Sequence, residues 1–342
     1  MEDEVYFLMV SEKGIVPKNC TNSVDKPYGL PLHKSNSKQL WPILAHVMNT
    51  DYVYAVALYC GTEKPEASSF ICDAPARAFI CCIKGHSGYF SCGKCEVKGQ
   101  RVQNRTVFLK TDIILRTNLS FRNQTQRQHH HGNSPLESLN IDMVNDFPFE
   151  YMHLICLGAT KKILKLWTDK KLSRHRLRSK EIIRISDHLE YTKKFVTNDF
   201  ARKPRTLGEL DRWKATELRT FLLYTGPIVL KNNISDKYYR NFMLLSVATR
   251  LLAEPCQSKE NINYAEQLLE YFVHNFMEIY GKENVSYNIH GLIHIANDVR
   301  LHDHLLNLYP NYIADWPREN VESLKQMSTR QMQSSRRSLR AN

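Results

Sequence analysis

No apolar run in the 342 residues approaches the ~20 needed to cross a bilayer, so a membrane-spanning role is not expected. The start Met1-Glu2-Asp3-Glu4 is acidic and lacks the basic and apolar regions of a secretory signal, which points to an intracellular setting. There the N-x-S/T sequons at Asn104 and Asn118 carry no meaning as glycosylation sites. No internal repeat is evident. Acidic residues are in deficit, 35 against 47 Lys and Arg, and the formal charge of +12 favours polyanionic partners, nucleic acid foremost. An apolar fraction of 42% is what a buried core requires, so the chain is expected to fold. Its nine cysteines include the adjacent Cys81 and Cys82 and the C-x2-C of Cys92 and Cys95. In a reducing compartment that clustering suits metal ligation better than disulfides.

Residues 1–22 show little pattern, and the reading frame is expected to begin partway into an older domain. From 23 to 132 the text reads as α/β, with strand-like runs at Tyr52 to Cys60 and Ser69 to Cys72 parted by turn-forming residues from Gly61 to Pro65. The polar stretch from Arg101 to Gly132, ending in His129, His130 and His131, reads as an exposed connection and a boundary. Residues 133–300 turn helical, with Leu157, Leu164 and Trp167 at helical spacing and a second stripe of Tyr264, Leu268, Phe272 and Ile279 that stops at Gly281. A helix at 301–327 and a basic tail at 328–342 complete the expected layout. The basic segment Lys170 to Lys180 and the arginines at 336, 337 and 340 suit DNA contact or nuclear targeting, and equally a solvated surface.

The string FICDAPARAFICCIKGHSGYFSCGKCEVKG, Phe70 to Gly99, holds two candidate sites. Asp73 ends a short strand where the chain turns at Pro75. A carboxylate there is held rigidly at the rim of a sheet and can share a divalent ion with a phosphate oxygen. The same position suits a helix cap. Cys82, His86, Cys92 and Cys95 form C-x3-H-x5-C-x2-C, four ligands of the types zinc prefers, with Cys81 as the alternative if the register is off by one. Buried thiols beside a surface histidine are the competing account. Further along, Glu150 and His153 fall on one helical face, as a DNA- or hydroxyl-facing pair or as an ion pair of the core. His290, His294 and Asp298 share another face and suit core packing, the active site or a second metal. Trp213, Phe221 and Tyr224 read as core rather than as stacking surfaces for bases.

CDAPAR, CIKGHSGYFSCGKC and GLPLHKSNSKQLWPIL (29–44) together resemble the conserved blocks of CACTA (En/Spm-like) DDE/D transposases. EYMHLICLGATKKILKLW (150–167), RWKATELRTFLLYTGPIVL (212–230) and YNIHGLIHIANDV (287–299) resemble three more, in the family's order, over roughly residues 23 to 320. The resemblance implies a ribonuclease-H-like α/β core with a large helical insertion, in which two Asp and one Glu hold two Mg or Mn ions. Asp73 matches the second acid. The first is displaced to Asp25, because Lys26, Pro27 and Tyr28 intervene before Gly29 where the family has its acid. Glu319, in Trp316-Pro317-Arg318-Glu319-Asn320, matches the third, with Glu322 in reserve. Glu150 and His153 match the family's acid-x2-His motif, as support for DNA or the active site.

The expected partner is double-stranded DNA, at transposon ends, with homo-oligomerisation compatible, and the expected setting is the nucleus. The expected chemistry is two-metal strand cleavage and transfer, with zinc as a structural ion. The alternative is a transposon-derived domain that binds DNA or protein without cutting. Cleavage at least about a hundredfold below an intact relative is expected from the displaced Asp25, with partial rescue on deleting Lys26 to Tyr28. A cysteine hydrolase using Cys92 or Cys156 with His153 is a further rival, although nothing in the sequence marks an activated thiolate.

Overall fold

A computed structural model describes residues 67–169, 174–197, 200, 202–255 and 257–302, with side chains from 69 onward, and the backbone of strands at 5–8, 15–16, 30–31, 39–47 and 53–61. Asp25, Glu319 and Glu322 lie outside the described residues.

The strand-like runs form strands. β1 (Val5–Leu8) pairs in parallel with β6 (Ala67–Ile71), placing Leu8 beside Ile71. β2 (Ile15–Val16), β3 (Leu30–Pro31) and β5 (Val53–Gly61) each pair antiparallel with β4 (Gln39–Val47). β1 and β2 fall in the stretch that reads as unpatterned, because four and two residues are too short to show an alternation. Past β6 the sheet gains a parallel bridge between Cys72 and Phe149, and Phe70 N–H donates to Asp146 O at 2.6 Å.

α1 (Ala74–Ile80) starts where Asp73 Oδ1 accepts the Ala76 N–H at 2.8 Å and Pro75 occupies the first turn, a pairing that favours helix initiation. The hairpin β7 (Gln100–Val102) and β8 (Arg105–Val107) comes next, then α2 (Asn118–Arg122). The stretch read as an exposed connection, Arg101 to Gly132, is largely exposed, with Val107, Phe108, Arg116, Phe121, His129 and His130 as its buried residues. His129 and His130 are buried, their rings at 6.2 and 4.7 Å from that of Phe121. Arg122 donates to the carbonyls of Glu137, Leu139 and Ile141, and His129 Nδ1 bonds Phe90 O at 2.6 Å. These bonds tie a largely solvent-facing stretch to the loops beside it.

Beyond Tyr151 comes a π-helical stretch, Met152–Thr160, that runs into α3 (Lys161–Thr168). α4 (Ser179–Thr192), α5 (Ala215–Thr220), the π-helical Phe221–Thr225, α6 (Gly226–Val229), α7 (Asp236–Ala253) and α8 (Lys259–Tyr280) complete the middle of the chain. α9 (Tyr287–Gly291) and α10 (Ile295–His302) come last, joined by a 3₁₀ turn at Leu292–His294.

α8 ends at Gly281, whose φ of 89° suits glycine. Its core face, however, is Ile262, Ala265, Leu269, Phe272, Val273, Phe276 and Tyr280, while Tyr264 is exposed and Leu268 and Ile279 are half-buried. Of the stripe read from the sequence only Phe272 faces fully inward.

Trp167 anchors the largest apolar cluster. It is fully buried, lies with its ring 6.3 Å from that of Phe242 at a tilt of 49° and donates from Nε1 to Tyr280 Oη at 3.0 Å. Trp213 and Phe221 are buried in the same cluster with rings 5.6 Å apart, the core role expected of them. Cys92, Cys95, Val97 and Phe108 belong to that cluster too, so the cysteine loop and the helices share one core.

Candidate metal centre and acidic corner

Cys92 and Cys95 lie in a loop held by a buried arginine. Arg116 Nη2 donates to Cys92 O at 3.3 Å, Cys95 O at 3.0 Å and Gln126 Oε1 at 2.7 Å, and its backbone N–H reaches Lys94 O. Cys95 also bridges to Leu115 across the loop. Against this loop packs the turn between α9 and α10. Phe108 lies 5.6 Å from the His290 ring, and the His290 and His294 rings are 5.3 Å apart.

Cys92, Cys95, His290 and His294 are all buried, and one ligand atom from each lies within 4.8 Å of the others. Cys95 Sγ stands 3.3 Å from His290 Nε2, although 195 positions separate them in the chain. Zinc bonds of about 2.3 Å to sulfur and about 2.0 Å to nitrogen give tetrahedral edges of ~3.3–3.8 Å, so a small inward closure would complete the sphere. Burial opposes ionisation of Cys92, yet the Cys95 hydrogen bond and the two histidines hold its thiol well below the usual range. The hydrogen bond to Cys92 and burial push Cys95 up. His294 Nε2 is buried without a hydrogen-bond partner, so one polar atom of the cluster's histidines remains unsatisfied by the protein. The residues fit a zinc ion.

Cys82 and His86 are not members of this group. Cys82 lies just past the end of α1 in a left-handed conformation (φ 52°), and its carbonyl accepts the His131 N–H, which commits it to the histidine-rich loop. His86 sits with its ring 6.3 Å from Tyr287. Cys81 is buried with its thiol pushed up by burial. Short spacing directs attention to ligands within one loop, whereas the second pair arrives from the far end of the described chain. The i, i+4 histidines were a visible signal for it.

A second constellation gathers beyond the Cys72 and Phe149 bridge. Because the bridge is parallel, the next residues on both segments, Asp73 and Glu150, leave the sheet on the same side. Glu150 precedes its helix instead of sharing a helical face with His153. Its carboxylate is buried and accepts the N–H groups of Met152 and His153 at 2.7 and 2.8 Å, and it pairs with His153 Nδ1. His153, 44% exposed, has its pKa raised by that bond first, and by the charges of Glu150 and Asp73. The buried Arg77 of α1 donates to Pro148 O and lies over the Phe149 ring at 4.7 Å.

Cys156 offers no activated thiolate, since burial pushes its thiol up to about 12. No helix among the described residues is long and apolar enough to cross a membrane. No protein-family model matches the chain, and neither does any curated protein or solved structure.

Proposed function

We propose that the chain is a transposase-like DNA-binding protein with a ribonuclease-H-like core, in which Asp73 is one of the carboxylates that hold divalent ions for strand cleavage and transfer. The observation that carries the reading is the parallel bridge of Cys72 with Phe149, from which Asp73 and Glu150 emerge side by side at the ends of adjacent extended segments. Metal-dependent nucleases hold rigid carboxylates at a sheet rim within reach of a phosphate; here Asp73 is the half-exposed one and Glu150 is buried. The six sequence blocks support it from the other side, and the +12 charge supplies phosphate contacts.

Asp73 spends Oδ1 on the α1 cap, which leaves Oδ2 for a cation. Bound Mg or Mn would supply a Lewis acid that activates water or a DNA 3′ hydroxyl and neutralises the leaving oxygen. Glu150 orients His153 through Nδ1, so that Nε2 can donate to a phosphate oxygen. Asp25 and Glu319 complete the proposed set, DNA is the partner and the nucleus the setting. Zinc is the structural ion at Cys92, Cys95, His290 and His294.

A second reading keeps the fold and DNA affinity without cleavage. Both described acids are already engaged with backbone N–H groups, and Asp25 stands three residues from the position the family uses. Nicking of supercoiled DNA with Mg or Mn separates the two. Cleavage by the intact chain that Asp73→Ala abolishes supports the first; salt-sensitive binding without cleavage supports the second.

A further inference from the structure

The residue between the two cysteines reaches beyond their loop. Lys94 is buried, donates from Nζ to Val144 O at 2.9 Å and forms an ion pair with Asp298 Oδ1 at 2.5 Å. Asp298 lies four residues beyond His294, on α10, and its side chain is wholly buried. Its other oxygen, Oδ2, accepts the Phe149 N–H at 2.8 Å. One carboxylate therefore touches the cysteine loop and the residue before Glu150 from the helix that directly follows His294. The Phe149 ring adds contacts with His294 at 6.2 Å and Tyr287 at 5.9 Å.

We propose that Lys94 and Asp298 are positioning residues that couple the Cys92, Cys95, His290 and His294 centre to Phe149 and Glu150, so that metal binding there sets how Glu150 and His153 stand against Asp73. The inference rests on reading the four ligands as a metal centre and the Asp73 corner as a site. Its physical basis is a closed circuit. A metal ion joins the loop to α9 and α10 across 195 positions of chain, and Lys94 and Asp298 are carried by the same two segments. When the ion fixes those segments, the ion pair and the Asp298 bond to Phe149 are held together. When the ion leaves, the loop can move from the helices, and Asp298 must lose either Lys94 or its grip on Phe149. Phe149 has no helix of its own to hold it, and Glu150 is the very next residue.

The test uses the full chain, zinc-loaded and chelated, as wild type, Asp298→Asn and Lys94→Met. The readouts are zinc content, hydrogen exchange along the chain and the ¹⁵N shift of His153 Nδ1, which reports its bond to Glu150. Zinc-loaded Asp298→Asn is expected to keep one zinc, to exchange amides 146–153 about tenfold faster, and to move the His153 shift. Chelating the wild type should produce the same local change, and chelating Asp298→Asn should add much less than the two effects combined. Unchanged exchange at 146–153 on chelation, an unmoved His153 shift in Asp298→Asn, or simple additivity would overturn the proposal. If chelation unfolds the whole chain, zinc-loaded Lys94→Met decides: acceleration confined to 146–153 sustains the coupling, and acceleration spread evenly through α7 and α8 refutes it. None of these readouts needs DNA cleavage, so loss of the proposed nuclease leaves the coupling test intact.

Discussion

The metal centre and the acidic corner lie on either side of Phe149 and are built on opposite principles. At the centre, four buried side chains from two remote segments converge, and although backbone bonds hold the cysteine loop, none of those bonds joins it to the histidines. At the corner, the polar atoms are held mostly by local backbone: Asp73 caps α1, and Glu150 caps the helix that begins just after it. His153 remains partly in water. A site assembled by long-range convergence gains its geometry from a ligand, whereas at the corner each carboxylate is set by its own cap once the adjoining helix forms, and the Cys72 and Phe149 bridge brings the two together. The centre should accordingly fail as a unit, and the corner one residue at a time.

The largest expected effect breaks the centre. Freshly purified protein should hold one zinc, and Cys95→Ser and His294→Ala should each lose it together with local order, while Cys82→Ser and His86→Ala keep it. Metal analysis with circular dichroism checks all four. Zinc retained by His294→Ala, or lost from Cys82→Ser, would return the ligand set to a single loop.

Next in size is the corner. Asp73→Ala should abolish metal-dependent nicking while zinc stays at one per chain, since the two sites share no ligand. Its cost to folding should be that of a lost cap, about 0.5–2 kcal/mol in urea unfolding. An equal fall in zinc content would show that the two regions are not separable in this way.

Between the two regions, the π-helical stretch meets α9 with no room to spare. A Cβ at Gly158 would come within 2.6 Å of Asn288 Nδ2 and of His153 O, and one at Gly291 within 2.7 Å of Leu154 Cδ1. Gly158→Ala should cost about 1–3 kcal/mol by overpacking, more than Gly291→Ala, where a flexible side-chain end can yield. Denaturant melts compare them directly, and a neutral Gly158→Ala would mean that the helices are free to separate.

The smallest effect concerns pH. The His153 pKa is raised by Glu150, so its favourable pairing is fully present below the ordinary histidine value of about 6.5 and is lost as pH rises through the higher folded value. Because the ring is partly in solvent, the change in stability should be slight. NMR titration should place His153 above the ordinary value, and Glu150→Gln should bring it down. An unshifted titration in the wild type would leave His153 without its partner.

Much of this contrast was legible before folding. β5 and β6 formed where β-branched and aromatic residues cluster, and α8 stopped at Gly281. Cys92 and Cys95 stood out by type and spacing, and Asp73 by its place after an apolar strand. The errors share a cause. Cys82 and His86 satisfied a local pattern, yet the chain takes Cys82 away through a left-handed turn into contact with the histidine-rich loop. The polar composition of residues 101–132 likewise gave no sign that Arg116, His129 and His130 are buried in a stretch that is otherwise largely exposed. On α8, equally apolar residues circle the helix, and only the neighbours decide which of them face inward.

The sequence by itself therefore determined the features that short-range chemistry dictates: which segments extend or coil, where α1 is capped, that a cysteine pair is available for a metal, and that the chain is basic. Tertiary structure alone decided the pairing of that cysteine pair with His290 and His294, the ion pair of Lys94 with Asp298, and the emergence of Asp73 beside Glu150. Local spacing constrains backbone geometry over a few residues. Contacts across 195 positions depend on how whole elements bury their apolar faces against one another, and no motif within one segment encodes that.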